Sequence, residues 1–470
     1  MLTYDVRIWG VRQRGSKSAP FQLRWLVGGR THQQPFKTKN LADGRRSELM
    51  SAARNGEQFD TETGLPASEL RDLNSPTWYE HACAYALMKW PKASAKHRAG
   101  IAEALANATM ALVTTEKGAP DPKVLRLALR SWAFQMLKHP QTGMLLARKD
   151  SATPPEAVAD ALGWMAKHSY KVKDLANSDT MRLALDAISR KLDGTNAAEN
   201  TIRRKQTVLS NALRYAVERD LLAVNPMSRI DWEPPPTDDE VDFRYVPEPK
   251  LARALLDAVE EQGPSGERLK AFFGCMYYAA LRPSEVAALG ESALLLPEES
   301  EEGKWGEFIL AESRPEVGSG WTDDGKSYEK RGLKRRARKA TRSVPIPPTL
   351  VRMLRAHMKT HGIASDGRLF YAVEGGRVRS TEYTAIWQAA REKALPQAGV
   401  DTPLAEVPYS LRQACISLWI KAGVDPVEVA RRAGHSPAVL WRFYAKVLRG
   451  QQRQANHLID QALAEDDEEA

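Results

Sequence analysis

The sequence predicts a multidomain α+β chain that is mainly helical and carries small β-sheets. The chain has 470 residues, which is enough for two to four domains at about 150 residues each. Short runs of alternating apolar and polar residues lie near the N-terminus, whereas helical spacing dominates from about residue 75 onward. A stretch rich in proline and acids, 231–242 (DWEPPPTDDEVD), separates two helical regions.

The first predicted domain, residues 1–70, is a three-stranded sheet followed by one helix. Three strand-like runs (YDVRIWGV, FQLRWLVGG and HQQPFKT) are broken by glycine and proline, and the segment NLADGRRSELMSAARN has helical spacing. Between Val6 and Ala42 there are eight Lys or Arg residues and no acid. We expect this basic module to bind nucleic acid, although a basic face that is merely solvated is an alternative. The candidate contacts are Arg7, Arg12, Arg24 and Lys37.

The second predicted domain, residues 71–230, reads as all-helical. Several of its helices begin with Ser-Pro or Thr-Pro, the pattern of an N-cap followed by proline in the first turn. Its last helix has an apolar stripe with a basic triplet beside it, Arg203, Arg204 and Lys205. This triplet would contact a phosphate backbone or would form an ordinary exposed helix face.

The proline-rich and acidic stretch 231–242 is predicted to be an extended linker, because it repels itself and contains little to bury. Residues 243–450 then combine helices with short strands around FILAES and SVPIP. Residues 451–470 begin amphipathically and end in a run of acids that is typical of a mobile tail.

The charge of the chain favours a polyanionic partner. The net charge is +9, and five acids sit in the last six residues. A basic body attracts nucleic acid or an anionic membrane surface. The three cysteines are far apart, so neither a disulfide framework nor a zinc site is expected. The first residues lack the layout of a signal peptide and no apolar run is long enough to span a membrane, which predicts a cytoplasmic protein.

Basic residues near predicted helix ends are candidates for an anion site. Arg282 closes a nearly uncharged helix and precedes a proline, Arg412 opens the helix SLRQACISLWI, and His435 precedes Ser-Pro. Tyr444 follows nine residues later. No acid lies three or four residues from Arg412, so an intrahelical ion pair cannot neutralise it. The charge of Arg412 would then be neutralised by a distant Asp or Glu or by a bound anion, or it would be solvated by water.

These segments resemble the tyrosine recombinase, or phage integrase, family. The segment ALRPSEVAAL is similar to the family's first arginine box, and PYSLRQACISLWIKAGVDPVEVARRAGHSPAVLWRFYAKVL is similar to its second box. The segment RGLKRRARKATRSVPIPP resembles the β-hairpin that carries the family's catalytic lysine. The order of the predicted domains also follows the family, and the resemblance is greatest to integrases of actinobacterial phages and integrative elements.

The resemblance implies a reaction and roles for its residues. Tyr444 would attack a DNA phosphate, Arg282 and Arg412 would stabilise the transition state, and His435 would donate to the phosphate. Lys334 would protonate the leaving 5′-oxygen. Other basic residues nearby would either take this role or contact the DNA backbone; they are Arg335, Arg336, Arg338 and Lys339. No metal or other cofactor is implied.

Two positions leave alternatives open. The family usually has His, sometimes Lys, three residues before the second arginine, and this chain has Tyr409. A phenol can donate to phosphate but is a poor base at neutral pH, and Tyr409 would otherwise be a packing residue. Glu285, one turn beyond Arg282, would orient the site or would be an ordinary exposed acid.

The family resemblance implies integration, and excision, of a mobile element by four protomers on double-stranded DNA with core and arm attachment sites. A host bending protein or an excisionase would be an accessory partner, and no membrane is involved. The alternatives are a recombinase that resolves chromosome dimers and a non-cleaving DNA-binding regulator with the same fold. The implied domains are an arm-binding domain at 1–70, a core-binding domain at 71–230, a catalytic domain at 243–450 and a tail at 451–470 that packs on a neighbouring protomer.

Overall fold

The computed structural model describes residues 1–139, 142–191, 193–236, 241–333 and 340–449, together with 456, 459 and 460. The chain divides into two compact units, Met1–Pro236 and Thr237–Ala470. It is mainly helical with several small sheets, as the sequence predicts. None of the helices described is long and apolar enough to cross a membrane.

The first part of unit 1 is a small antiparallel sheet covered by a helix. Strand β4 is its centre: β5 pairs along one edge, and β2 and β3 pair in succession along the other. The sheet has four strands instead of the expected three, because the first run is interrupted between Ile8 and Arg12. The elements are β1 (Leu2–Thr3), β2 (Val6–Ile8), β3 (Arg12–Gln13), β4 (Phe21–Val27), β5 (Arg30–Phe36), α1 (Lys39–Arg54), β6 (Phe59–Asp60) and α2 (Ala67–Leu73).

Alternation along β4 decides which side chains enter this core. Leu23, Trp25 and Val27 are buried and pack with Leu49 of α1 and with Phe59. Successive strand residues point to opposite faces, so Arg24 lies on the other face of the sheet. The core of this part therefore lies between the sheet and α1.

The rest of unit 1 is a helical bundle with one hairpin. The expectation of an all-helical region was wrong at β7 and β8, which pair antiparallel. Gly143 adopts φ +67°, which glycine tolerates best, and its N–H donates to the carbonyl of His139, so a tight turn forms where a helix cannot continue. The elements are α3 (Trp78–Lys89), α4 (Ala95–Ala111), α5 (Pro122–Ala128), β7 (Met136–Lys138), β8 (Leu145–Ala147), α6 (Arg148–Ser151), α7 (Glu156–His168), α8 (Ser178–Ser189) and α9 (Glu199–Glu218).

Unit 2 packs helices around one large apolar core and a three-stranded antiparallel sheet of order β13-β10-β9. The buried helix α11 supplies many of the core side chains and packs against α10, α13 and α16. The elements are α10 (Pro249–Glu260), α11 (Gly263–Ala279), α12 (Pro283–Val286), β9 (Leu294–Leu295), β10 (Gly306–Leu310), β11 (Glu312–Ser313), β12 (Arg331–Gly332), β13 (Arg342–Ile346), α13 (Pro348–His361), α14 (Ser380–Ala394), α15 (Gln397–Val400), α16 (Ser410–Lys421), α17 (Pro426–Ala433) and α18 (Pro437–Arg449).

Candidate active site

A cleft of about 540 Å³ in unit 2 brings together residues that are far apart in the sequence. Its lining includes Arg282, Tyr409, His435 and Tyr444. These residues come from the junction of α11 with α12, the start of α16, the junction of α17 with α18, and α18 itself. Helix ends can point several side chains at one anion without burying them in a core, and the cleft has this construction.

The α11–α12 junction is shaped by a residue in an unusual conformation. Ala280, which is fully buried, has φ +51° and ψ +32°, a left-handed conformation that is rare for residues other than glycine. It ends α11 abruptly, so that Arg282 and Pro283 can start α12. The carbonyl of Ala280 accepts a hydrogen bond from Nη1 of Arg412. The sharp turn therefore supplies an acceptor to the site.

Arg412 is 1% exposed and lies behind the cleft. Besides Ala280, its Nη2 donates to the carbonyl of Ala433 at 2.6 Å and to Nε2 of His435 at 2.9 Å. It forms no ion pair with any carboxylate in the described part of the chain. The distant Asp or Glu considered above is thus absent as a direct partner, and carbonyl oxygens and an imidazole solvate this guanidinium instead.

Glu285 is a buried carboxylate of the site, 2% exposed, so the alternative of an ordinary exposed helix acid is excluded. Its Oε1 accepts from Nη1 of Arg282 at 2.9 Å and its Oε2 accepts from the backbone N–H of Arg282 at 2.9 Å. Burial raises the pKa of Glu285, but the guanidinium groups of Arg342 and Arg282 outweigh this effect and lower the pKa to about 2. Glu285 is therefore ionised at neutral pH.

Arg342 is a site residue that the sequence prediction missed. It begins β13, is 3% exposed, and donates to both oxygens of Glu285 at 3.0 and 2.9 Å. The segment TRSVPIPP was read only as part of a hairpin. The signal that could have found it is the period of two in RSVPI, which places Arg342 on the same face as the apolar Val344 and Ile346.

His435 is held by the end of α17. Gly434 adopts φ +64°, and the N–H of His435 donates to the carbonyl of Ala430 at 2.9 Å, which closes the helix in a Schellman motif. Burial and the neighbouring guanidinium groups, that of Arg412 first, lower the pKa of His435 to about 3. The ring is therefore neutral at physiological pH.

Tyr444 lies inside α18 at a break in the helix, with φ −119° and ψ +18°. Its side chain is 3% exposed, and burial raises the pKa of its phenol although Arg412 counteracts this effect. Tyr409 is 39% exposed at the mouth of the same cleft. Both phenols therefore border one cleft, with Tyr444 the more enclosed.

The charges of this site do not balance. Arg282, Arg342 and Arg412 carry three positive charges, Glu285 carries one negative charge, and the neutral His435 adds none. A net charge of about +2 in a partly enclosed site is costly unless an anion joins it. The geometry thus suits a phosphate, with a tyrosine hydroxyl beside it as a nucleophile.

The other candidate residues are distributed as follows. Lys334, Arg335, Arg336, Arg338 and Lys339 lie outside the described residues, as does most of 451–470. Arg203 and Arg204 are exposed on α9, but Lys205 is buried at 8% exposure, so the expectation that the triplet shares one outward face was wrong. The reason is helical geometry: Lys205 lies three residues after Ile202, on the packed face.

The basic residues of the N-terminal sheet do share a face. Register places Arg7 opposite Leu26 and Arg12 opposite Gln22, and both partners belong to the same face of β4 as Arg24. Nε and Nη2 of Arg12 donate to Oε1 of Gln22 at 3.1 and 2.9 Å. This face points away from α1. Lys37 is exposed just after β5.

A second cleft, of about 430 Å³, lies between α3, α4 and α9 of unit 1 and is strongly basic. We call it the basic cleft; its charged lining residues are Lys89, Lys92, Lys96, Glu103, Arg204 and Lys205. Glu103 is already paired with Arg126 at 2.6 Å and Arg130 at 3.2 Å. In the part of the chain that the structure describes, Lys92, Lys96 and Arg204 have no carboxylate partner within 4 Å.

The described residues contain no group of three or more His, Cys, Asp or Glu side chains that could hold a metal ion. All three cysteines are free, and Cys275 and Cys415 are buried.

Comparison with known proteins gives similarities of fold only. The sequence matches no family model and no curated protein. Among solved structures it is similar to the Tn1549 transposon integrase in complex with circular-intermediate DNA, with 17% identity, 63% of this chain and 91% of that chain covered, and a TM-score of 0.44. The XerH site-specific recombinase bound to difH has 9% identity, coverage of 78% and 90%, and a TM-score of 0.42. The lambda integrase bound to DNA has 10% identity, coverage of 61% and 86%, and a TM-score of 0.36. At these values the similarity assigns no activity, so function has to be inferred from the cleft itself.

Proposed function

We propose that this chain is a tyrosine-type site-specific DNA recombinase, which cuts and rejoins DNA through a 3′-phosphotyrosyl intermediate. One observation carries the proposal: Tyr444, Arg282 and His435 line one cleft, and Arg412 reaches His435 from behind it. The same four residues match the arginine boxes of the tyrosine recombinase family in order and spacing.

The chemistry follows from the charges. Tyr444 Oη attacks the phosphorus, an O–P bond forms to tyrosine, and the bond to the 5′-oxygen breaks. Tyrosine loses a proton and the 5′-oxygen gains one, so the reaction balances without an oxidant, a nucleotide or net hydrolysis. The non-bridging oxygens gain charge in the transition state. Arg282, which lines the cleft, would donate hydrogen bonds to them, and the positive charge of the buried Arg412 would stabilise them from behind His435. Lys334 remains the proposed proton donor to the 5′-oxygen.

His435 acts in this proposal as a neutral hydrogen-bonding group. Its Nε2 accepts from Arg412, so Nδ1 carries the proton and is the donor left for a phosphate oxygen. Nδ1 is buried and has no partner among the described residues. A small movement toward a bound phosphate would satisfy it. Tyr409, more exposed at the cleft mouth, would contact the same phosphate through its hydroxyl.

Integration and excision of a mobile element is the biological role that we propose. The basic face of the N-terminal sheet, with Arg7, Arg12 and Arg24, is consistent with a second DNA site besides the one that is cut. A recombinase that resolves chromosome dimers is the first alternative. The basic N-terminal sheet argues against this alternative, because such recombinases generally lack a basic N-terminal domain. A non-cleaving regulator is the second, and it would have no use for Tyr444.

The assignment of segments follows the same proposal. Residues 1–70 would bind arm-type sites and 71–230 would bind the core site, with 231–242 as the linker to the catalytic segment 243–450. The basic cleft, rather than the Arg203 side of α9, is the DNA-backbone contact that we propose for the helical segment, because its cations have few acidic partners. The tail 451–470 would pack on a neighbouring protomer in a tetramer on DNA.

Trapping the covalent intermediate tests the proposal. A duplex from the end of the element that carries the gene, nicked near the cleavage position, should form an adduct with the full-length protein on a denaturing gel. Tyr444→Phe should bind the same duplex with unchanged affinity and form no adduct, because it loses only the attacking oxygen. Tyr383→Phe, a tyrosine of the apolar core in the same unit, is the matched control and should form the adduct normally. An adduct of full yield in Tyr444→Phe would exclude the assignment.

A further inference from the structure

Arg342 is the buried end of a chain of ion pairs that leads to the cleft. Its side chain is 2% exposed and it is absent from the cleft lining. Both of its terminal nitrogens are used on Glu285, at 3.0 and 2.9 Å, in the two-pronged geometry that fixes a carboxylate in orientation as well as in position. Arg342 therefore meets Glu285 and not a bound phosphate.

Glu285 passes this restraint on to Arg282. The Oε1 atom that accepts from Arg342 also accepts from Nη1 of Arg282, and the Oε2 atom also accepts from the backbone N–H of Arg282. The carboxylate thus holds both ends of Arg282. If Glu285 rotated, the guanidinium of Arg282, which is 18% exposed in the cleft, would lose its orientation.

The guanidinium of Arg342 is also in contact with the turn that precedes His435. A Cβ added to Gly434 would lie 2.0 Å from Nη1 of Arg342, so the two groups are already in close contact. The carbonyl of Gly434 accepts from Nη2 of Arg282 at 3.2 Å. Nη1 of Arg431 donates to the carbonyl of Ser343 at 3.2 Å, a second link between β13 and α17. Strand β13 therefore contacts two parts of the site, Glu285 and the end of α17.

We propose that Arg342 is a positioning residue for DNA cleavage, which acts by orienting Arg282 through Glu285. This inference rests on the proposed recombinase function. Without Arg342, each oxygen of Glu285 loses one donor in a buried position, and the carboxylate is free to turn toward the remaining cations. The cleft would keep its cations but would present them in the wrong geometry.

Binding and cleavage rates distinguish this role from a merely structural one. Arg342→Met should bind a half-site duplex within about twofold of wild-type affinity, because Arg342 does not line the cleft. Its single-turnover cleavage should be slower by on the order of a hundredfold, the effect expected from misplacing a catalytic group by about 1 Å. Arg355→Met, which removes an arginine that donates to the carbonyl of Pro297, is the control and should cleave normally.

A double-mutant cycle tests the route through Glu285. Glu285→Gln alone should slow cleavage to a similar extent, and the double variant Glu285→Gln with Arg342→Met should be no slower than the slower single variant. Effects that multiply would show that Arg342 acts independently of Glu285 and would overturn the proposal. So would an Arg342→Met variant that cleaves at the wild-type rate.

If Arg342→Met fails to fold, Arg342→Lys tests whether Arg342 is a positioning residue. Lysine keeps the charge but not the two-pronged geometry, so this variant should fold, bind DNA normally and cleave at least tenfold more slowly. Wild-type cleavage rates in Arg342→Lys would overturn the proposal. Failure of the wild-type protein itself to form an adduct would instead count against the recombinase function, so the two failures are separable.

Discussion

Nη2 of Arg412 lies 2.9 Å from Nε2 of His435, and this contact determines the tautomer of the histidine. A guanidinium can only donate, so Nε2 must accept and the ring proton resides on Nδ1. Burial, Arg412 and Arg282 act together to lower the pKa of His435 to about 3. An imidazolium at this position would face three arginines at close range.

The first prediction concerns the pH dependence of cleavage. Because the pKa of His435 lies near 3, the ring stays neutral throughout the range from about pH 5 to 8. His435→Gln should cleave roughly tenfold more slowly, for the loss of one neutral hydrogen bond. The ratio of the wild-type rate to the variant rate should not change across that range. Single-turnover adduct formation measures both rates, and a ratio that grows toward acid pH near 6.5 would mean that His435 acts as a cation.

The second prediction separates the hydroxyl of Tyr409 from its ring. Tyr409 borders the cleft and is more than a third exposed, so removal of its hydroxyl should leave the fold intact. Tyr409→Phe should cleave roughly tenfold more slowly, for one lost hydrogen bond of about 1 to 1.5 kcal/mol. Tyr409→His should stay active and should gain a pH dependence between about pH 6 and 7. A phenylalanine variant as fast as wild type would leave Tyr409 only a packing role.

The third prediction concerns the basic cleft. Replacing Lys89, Lys92 and Lys96 together with glutamine should weaken half-site binding and reduce the slope of log affinity against log salt by about 2 to 3, since each phosphate contact contributes roughly 0.9. Binding isotherms at four salt concentrations give this slope. The matched control replaces three exposed lysines of the same unit that do not line the basic cleft, Lys117, Lys123 and Lys167, and should leave the slope unchanged. Equal slopes for the two triple variants would place the DNA elsewhere.

The fourth prediction is a stability effect away from the cleft. His357 is buried, its Nε2 lies 3.1 Å from the carbonyl of Leu369, and burial lowers its pKa to about 4. The unfolded chain binds a proton at His357 below about pH 6.5 and the folded chain does not, so stability falls as the pH falls from about 6.5 toward 4. Between pH 7 and pH 5, proton uptake by His357 in the unfolded chain lowers the free energy of unfolding by about 2 kcal/mol.

Chemical denaturation at the two pH values measures that loss. His357→Phe should be less stable at both values, because it gives up the hydrogen bond to Leu369, but the difference between pH 7 and pH 5 should shrink by about 2 kcal/mol. A variant with an unchanged difference would show that other groups govern the acid sensitivity.

The sequence determined the local features of this protein. Alternation in FQLRWLV predicted β4 and its buried face, because a strand has a period of two. The cap and proline signals predicted helix starts at Pro283 and Pro437, because these residues act within one turn of the chain. Arg282, Arg412, His435 and Tyr444 could therefore be placed near helix ends or within a helix before any fold was known.

Only the tertiary structure decided which of these residues meet and how they are paired. Spacing in the sequence does not show that Glu285 contacts Arg342, 57 residues away, since that contact depends on how β13 packs beside α11 and the start of α12. The burial of Lys205, by contrast, follows from the helical period itself, because Lys205 lies three residues after the buried Ile202 on the same face of α9. The hairpin at β7 and β8 was missed because short apolar runs fit a helix or a strand equally well, and hydrogen bonds across a turn made the choice.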